Sequence, residues 1–560
     1  MAVENLITEH IDIWTSAVKA RSTSGRGSSK KLELYGVKKL RELILELAVR
    51  GKLVPQNPND EPASFLLQRI SEEKTQLIKE KKITKPKKLP AIKKQDITFA
   101  LPEGWQACYF GDIYSLVYGD NLPKAKRTES GEFLVYGSNG SVGTHNLFSV
   151  GSPCLVIGRK GSAGAINLSD QPCWVTDVAY SLIPPVGISL KYCFLHLQTL
   201  GLDSLGKGIK PGLNRNEANA LVVCIPPSDE QHRIVAKVDE LMALCDQLEQ
   251  QTEASIEAHQ VLVTTLLDTL TNSADADELM QNWARISEHF DTLFATEESI
   301  DQLKQTILQL AVMGALSQPL NSDTPIDVHL DNILEQQKQL ATAKEYSLIE
   351  AEVLKAKNEI SNNRVVLKAR CFCNFITKGT TPSKNELLET GDVPFLKVYN
   401  IVNNELDFDY RPIFISNEVH TSKLKRSIAH PGDVIMNIVG PPLGKVAVLS
   451  EQYPQWNMNQ ALAVFKPVSS VFNRYLYYVL SCELTLRSVL SEVKGTAGQD
   501  NLSLEQCRDL LVPIMSIQEQ QRLVCLVDSL WDYCDRLKKR MKSSQKTQLH
   551  LTDAVTGQAV

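Results

Sequence analysis

Two stretches of the chain place apolar residues in alternating steps of four and three. Ile234, Val238, Leu241, Cys245 and Leu248 do so in one, and Leu523, Val527, Leu530, Cys534 and Leu537 in the other. That spacing sets the apolar side chains on one helical stripe with charged residues around it, and predicts two long helices with a heptad seam. A shorter helix is predicted upstream from Val37, Leu40, Ile44 and Leu47, with Gly51 standing where a helix stop belongs. Elsewhere the pattern changes. Residues 96–228 and about 361–516 are rich in Gly, Pro, Val, Tyr and Thr, with short apolar runs. Within them CLVIGRKGSAGAINL (154–168) and DVIMNIVGPPLGKVAVL (433–449) each predict strand, tight glycine turn, strand.

These patterns occur twice. VKKLRELILELAVRGKLVPQNPNDEP, from Val37, aligns without a gap with IDQLKQTILQLAVMGALSQPLNSDTP, from Ile300, so that Leu40 falls on Leu303. DEQHRIVAKVDELMALCDQLE, from Asp229, aligns with QEQQRLVCLVDSLWDYCDRLK, from Gln518, so that Arg233 falls on Arg522. The intervening segments share less, but Gly164 matches Gly444 and Trp174 matches Trp456. The reading is a tandem duplication, roughly 1–272 and 273–560, each copy running leading helix, variable domain, trailing helix. The expected fold class is α+β: two strand-rich domains separated by long antiparallel coiled-coil helices in a pseudo-twofold arrangement. Its parts would be an N-terminal helical region with a basic linker (1–95), a first domain (96–228), a central helical spacer (229–360), a second domain (361–516) and a C-terminal helical repeat (517–560).

Composition narrows the function. At 560 residues the chain exceeds one core. It is 43% hydrophobic and 22% charged, with a net charge of -5, so any nucleic-acid binding must be local rather than spread over the surface. No apolar run is long enough to span a membrane, and MAVENLITEHIDIW has acids where a secretory leader needs bases. Cytoplasm is the expected compartment. The 12 cysteines are scattered without a CxxC, and the 10 histidines show no HExxH, so neither a disulfide framework nor a metal site is expected. Cys154, Cys224 and Cys245 read as small buried hydrophobes. There is no GxxxxGK[ST] loop. Nor is there an Asn-Pro-Pro-aromatic segment of the adenine-methylase kind; Gly440-Pro441-Pro442-Leu443 has the prolines but lacks both the preceding amide and the following aromatic. Glu72 and Lys74 read as a chance Glu-x-Lys on a helix. STSGRGSSKK (22–31) reads as a linker by composition.

The order helix, variable domain, helix, repeated twice, resembles the specificity subunit of Type I restriction-modification enzymes. LRELILELAVRGKLVPQNPNDEP, LPEGW (101–105), GRKGSAG (158–164) and IPPSDEQHRIVAKVDEL (225–241), with their second-copy relatives, carry the resemblance over nearly the whole chain. The leading region of about 95 residues is longer than in members that begin almost directly with the first domain. The resemblance implies a non-catalytic chain whose two target-recognition domains each read one half of a bipartite double-stranded DNA target. It implies helices that set the spacing and dock two modification subunits, with restriction subunits as further partners. No cofactor is expected on this chain; S-adenosylmethionine, ATP and Mg belong to the partners.

Candidate DNA contacts follow from residue type. KEKKITKPKKLPAIKK (79–94) is either a solvated lysine face or a linker along phosphates, with Lys85, Lys87, Lys88, Lys93 and Lys94 as contacts. Arg159 and Lys160, on a glycine-flanked turn, suit guanine O6 and N7, or else mark a plain hairpin tip. KGIKPGLNRNE (207–217) adds Lys207, Lys210, Asn214 and Arg215; its counterpart KGTAGQDNLS (494–503) adds Lys494, Gln499 and Asn501. Amides suit adenine edges. Ser138, Asn139, Lys378 and Thr380 are weaker candidates. Trp174 and Trp456 read as core. Two other readings stay open: a coiled-coil adaptor with protein-binding domains, which would show no salt-sensitive duplex binding, and an enzyme, which would modify DNA unaided.

Overall fold

The computed structural model describes residues 7–21, 31–80, 83, 89–205, 212–440, 443–490 and 501–559. It divides into two units, Met1–Ile256 with Ser544–Val560, and Glu257–Ser543.

In the first unit the leading helix is Tyr35–Val49 and the trailing helix begins at Ser228. The seam residues Ile234, Val238, Leu241 and Cys245 are buried in one core with Leu40, Leu43, Ile44 and Leu47 of the leading helix. Each such leucine buried contributes about 1.5–3 kcal/mol, which the exposed ion pair across the seam, Arg41 to Asp246 at 2.7 Å, does not approach. The leading helix stops at Gly51, whose φ of +68° lets the Lys52 N–H reach back to the Leu47 carbonyl at 3.0 Å. Residues 7–21 and 31–33 add structure that composition did not reveal. Helix Ile11–Ser16 buries Trp14, and strand Lys19–Arg21 pairs antiparallel with Lys31–Glu33. Lys31 is therefore a strand residue; the rest of the expected linker lies outside the described residues. Lys74 has a structural partner set: its Nζ donates to the carbonyls of Gly111 and Tyr114 at 2.8 and 3.0 Å, and burial lowers its pKa to about 8.

The first strand-rich domain is closed by antiparallel strands Gln106–Tyr109 and Val222–Ile225. Inside lies a four-stranded antiparallel sheet in the order Val117–Tyr118, Ala179–Leu182, Cys154–Gly158, Ile166–Ser169. Beside it a three-stranded sheet joins Gly140–His145, Phe133–Gly137 and Cys173–Val175, the last pair parallel.

The second unit repeats this plan. Its leading helix is Glu297–Met313, ended by Gly314 at φ +81°, and its trailing helix is Ile517–Ala559, whose last residues, from Ser544, belong to the first unit. The seam residues Leu523, Val527 and Cys534 are buried with Leu303, Ile307 and Leu310. Strands Val365–Lys368 and Leu511–Ile514 close the second domain. Its four-stranded sheet runs Cys373–Lys378, Leu462–Pro467, Val434–Asn437, Val446–Val448. Its three-stranded sheet again has a parallel pair, Val393–Leu396 with Asn457–Met458. Helices Ile326–Leu340 and Ala343–Lys357 precede it.

The strand register corrects one sequence match. Gly164 and Gly444 are equivalent: their N–H groups reach the Gly158 and Asn437 carbonyls at 2.9 and 3.0 Å. The tryptophans are not. Cys173 bridges Val150 as Trp456 bridges Ala429, so Trp456 is equivalent to Cys173 and Trp174 to Asn457. A one-residue slip in a strand reverses the face. Trp456 is accordingly 0% exposed, whereas Trp174 is half-exposed and donates its indole N–H to the Asp120 carbonyl at 3.2 Å. Reading both as core holds for Trp456 alone.

At the foot of each domain the trailing helix offers a fully buried glutamate. Glu230 accepts from the Trp105 indole at 3.0 Å and Gln56 at 3.1 Å, and burial raises its pKa. The equivalent Glu519 takes Arg364 and the Ser317 hydroxyl, the latter at 2.9 Å. Next to each, an arginine grips an aspartate from the loop after the leading helix: Arg233 with Asp60, Arg522 with Asp323.

Candidate nucleic-acid interface

The sheet order of the first domain gathers residues that are far apart in sequence. Tyr118 ends the edge strand and pairs with Tyr180; Tyr180 pairs with Ile157, two residues before Arg159. The Arg159 carbonyl accepts from the Leu213 N–H at 2.9 Å, and Lys160 bridges Gly212. The 212–219 segment is thereby tied to the glycine turn. Tyr180 reinforces the tie through a hydroxyl that donates to the Leu213 carbonyl at 3.1 Å; burial, and after it Tyr118, push this phenol up to about 12, so it stays protonated as a donor.

The outcome is a cluster on the exposed ring of Tyr118. The guanidinium carbons of Arg159 and Arg215 lie 5.2 and 5.3 Å from its centroid. Arg159 is further fixed by Nε–H and Nη2–H, which donate to the Asp177 carbonyl at 3.0 and 2.5 Å. Lys160 is exposed beside them. Ser138 and Asn139 form the turn between Phe133–Gly137 and Gly140–His145, and Ser138 abuts Gly158 and Gly161. Asn214 caps helix Arg215–Asn219, its side-chain oxygen accepting from the Asn216 N–H at 2.9 Å.

Tyr118 was not among the residues singled out from sequence. Its signal is the glycine that follows. A Cβ on Gly119 would lie 2.2 Å from the Thr176 carbonyl oxygen, and one on Gly379 would lie 2.1 Å from that of Met458. Glycine is required at both positions by the close backbone approach. Aligning those glycines sets Tyr118 on Lys378.

Lys378 and Thr380 are exposed on the equivalent edge of the second domain. Asn501 bridges Val439 as Gly212 bridges Lys160, and the Leu502 N–H reaches the Ile438 carbonyl at 2.9 Å. Ser503 caps Leu504–Arg508 as Asn214 caps Arg215–Asn219. The positions held by Tyr118, Arg159 and Arg215 in the first domain are thus held by Lys378, Ile438 and Leu504 in the second. Lys93 and Lys94 are exposed. Lys85, Lys87, Lys88, Lys207, Lys210, Lys494 and Gln499 lie outside the described residues.

Among the described residues no group of three or more His, Cys, Asp or Glu side chains is arranged to hold a metal ion, and no helix is long and apolar enough to cross a membrane. All the cysteines but Cys525 are buried and free.

Comparison with known proteins gives a consistent picture. The family described as Type I restriction modification DNA specificity domain matches residues 102–258 and 371–545, one match on each strand-rich domain with the start of its trailing helix. The Type I restriction enzyme EcoEI specificity subunit of Escherichia coli is 34% identical over 623 aligned residues, covering 100% of both chains. The EcoAI specificity subunit of the same organism is 35% identical over 603, again covering 100% of both. A solved chain from a study of assembly and conformational transition in the type I R-M system covers 82% of this chain and 98% of its own, with 16% identity and a TM-score of 0.47. By the extent of the family match and of the two sequence relatives, the chain belongs to the Type I restriction-modification DNA specificity family.

Proposed function

We propose that this chain is the non-catalytic DNA-reading subunit of a Type I restriction-modification complex. Residues 96–228 and 361–516 each read one half of a bipartite duplex target. The trailing helices set the separation of the half-sites and dock two modification subunits, which supply S-adenosylmethionine and adenine methylation. Restriction subunits bring ATP and Mg chemistry. The complex works on cytoplasmic DNA.

One observation carries this reading. A single backbone frame occurs twice, held by the same buried glutamate and the same Arg–Asp clasp, while equivalent positions around its glycine turn hold different chemistry. Two copies of one frame with unlike surfaces suit a molecule that must read two unlike sequences; an adaptor for one partner gains nothing from that difference. Direct base readout needs side chains of defined donor and acceptor pattern at the frame's edge, whereas phosphate contacts only position the frame.

The test is reconstitution. The purified chain with S-adenosylmethionine should transfer no methyl groups to DNA. With modification subunits added it should direct adenine methylation to one gapped motif, read by sequencing a methylated random library. Methyl transfer by the chain alone, or motif-independent methylation by the complex, contradicts the proposal.

A further inference from the structure

We infer that Arg159, braced by Asp177 and Tyr118 and flanked by Arg215, reads a guanine in the half-site of the first domain, and that the equivalent positions of the second domain, Ile438 and Leu504, do not. The inference rests on the DNA-reading role proposed above and names the chemistry of one position within it.

The geometry of Arg159 carries the argument. A guanidinium has two forks of paired N–H donors: a side fork, Nε with Nη2, and an end fork, Nη1 with Nη2. The Asp177 carbonyl takes the side fork, at 3.0 and 2.5 Å. The end fork is left with no acceptor among the described residues. Two parallel donors match the O6 and N7 acceptors that only guanine presents side by side in the major groove. The brace also fixes the side chain before DNA arrives, so little rotamer freedom is lost on binding.

Charge points the same way. Arg159 and Arg215 crowd one tyrosine ring at 5.2 and 5.3 Å, and among the described residues neither has a carboxylate partner. Arg41, Arg233, Arg370 and Arg522, which tie elements of the fold together, each meet an acid instead. Two adjacent unpaired cations repel each other, and an electronegative surface laid on them relieves that repulsion. Tyr118, exposed beneath both, supplies the flat apolar support. In the second domain Ile438, 2% exposed, stands where Arg159 does, and Leu504 where Arg215 does. Neither offers a donor.

The experiment uses the full chain reconstituted with its modification subunits and a DNA library randomised at every position of both half-sites. Arg159→Lys keeps the charge and removes the fork. It should reduce the preference for guanine at one base pair of the first half-site by about 10- to 100-fold and leave every other position unchanged. Tyr118→Leu should weaken the same preference in part. An unchanged second half-site reports that the variants fold and assemble. Equal loss on all sequences, with a shallower salt dependence, would assign Arg159 to phosphate and overturn the inference while leaving the DNA-reading role intact. So would a wild-type first half-site without guanine. Loss of all sequence preference in the wild-type complex would instead overturn the DNA-reading role itself.

Discussion

Replacing Arg364 with alanine should lower the stability of the second unit by about 3–5 kcal/mol. Glu519 is fully buried at the start of the trailing helix, and Arg364 is its charged partner. The same guanidinium donates through Nη1 to the Gly314 carbonyl at 2.7 Å and through Nη2 to the Ser317 carbonyl at 2.5 Å. It therefore fastens the end of the leading helix, the first strand of the domain and the trailing helix at one point. Removing it strands a carboxylate in the interior with only the Ser317 hydroxyl, and exposes two carbonyls to the resulting gap. Denaturant unfolding followed by circular dichroism measures the loss. Adding Glu519→Gln to Arg364→Ala should restore part of it, because the uncompensated charge is gone. The first unit makes the contrast. There Glu230 relies on neutral donors, Trp105 and Gln56, so Trp105→Phe leaves an unmet hydrogen bond but no unpaired ion partner and should cost about 1–3 kcal/mol. Equal losses at the two sites would show that charge pairing is not what distinguishes them.

Trp456→Ala should cost about 3–5 kcal/mol, against less than about 2 kcal/mol for Trp174→Ala. Trp456 is 0% exposed, and its ring meets Phe408 and Tyr453 edge-on at centroid distances of 5.5 and 5.2 Å. Truncation opens a cavity among aromatic rings that have little freedom to collapse into it. Trp174 is half-exposed, touches His145 at 5.3 Å and makes one hydrogen bond, to Asp120. Hydrogen exchange on each domain reads the two effects separately. Similar losses would contradict the register that places the two residues on opposite faces.

The tryptophans also show where sequence reading stops. The helical seams were legible because a period near 3.6 recurs over many residues and any slip spoils it. The glycine stops at Gly51 and Gly314 were legible because few other residues adopt positive φ. Strand equivalence was not legible to one residue. The strands are short, the intervening turns differ in length, and matching two tryptophans by type crossed from one face to the other. The cluster at Tyr118 was half legible. Arg159, Lys160 and Arg215 stand in turns whose composition marks them as exposed. Their meeting on Tyr118 depends on sheet order, which sets residues 118, 180 and 157 side by side. Asn214 shows the converse: an amide suited to a base edge is occupied as a helix cap. The helix that buries Trp14 and the strands that flank the expected linker escaped because the helix is six residues long and each strand three, too short for a periodic signal.

The central claim is that each strand-rich domain reads its own half of one target. It is tested most directly by replacing residues 96–228 with the corresponding domain of another family member and sequencing the methylation that the reconstituted complex leaves on genomic DNA. The account predicts a hybrid motif in which one half is new while the other half and the gap are those of the parent. A motif altered in both halves, or unaltered in either, would contradict it.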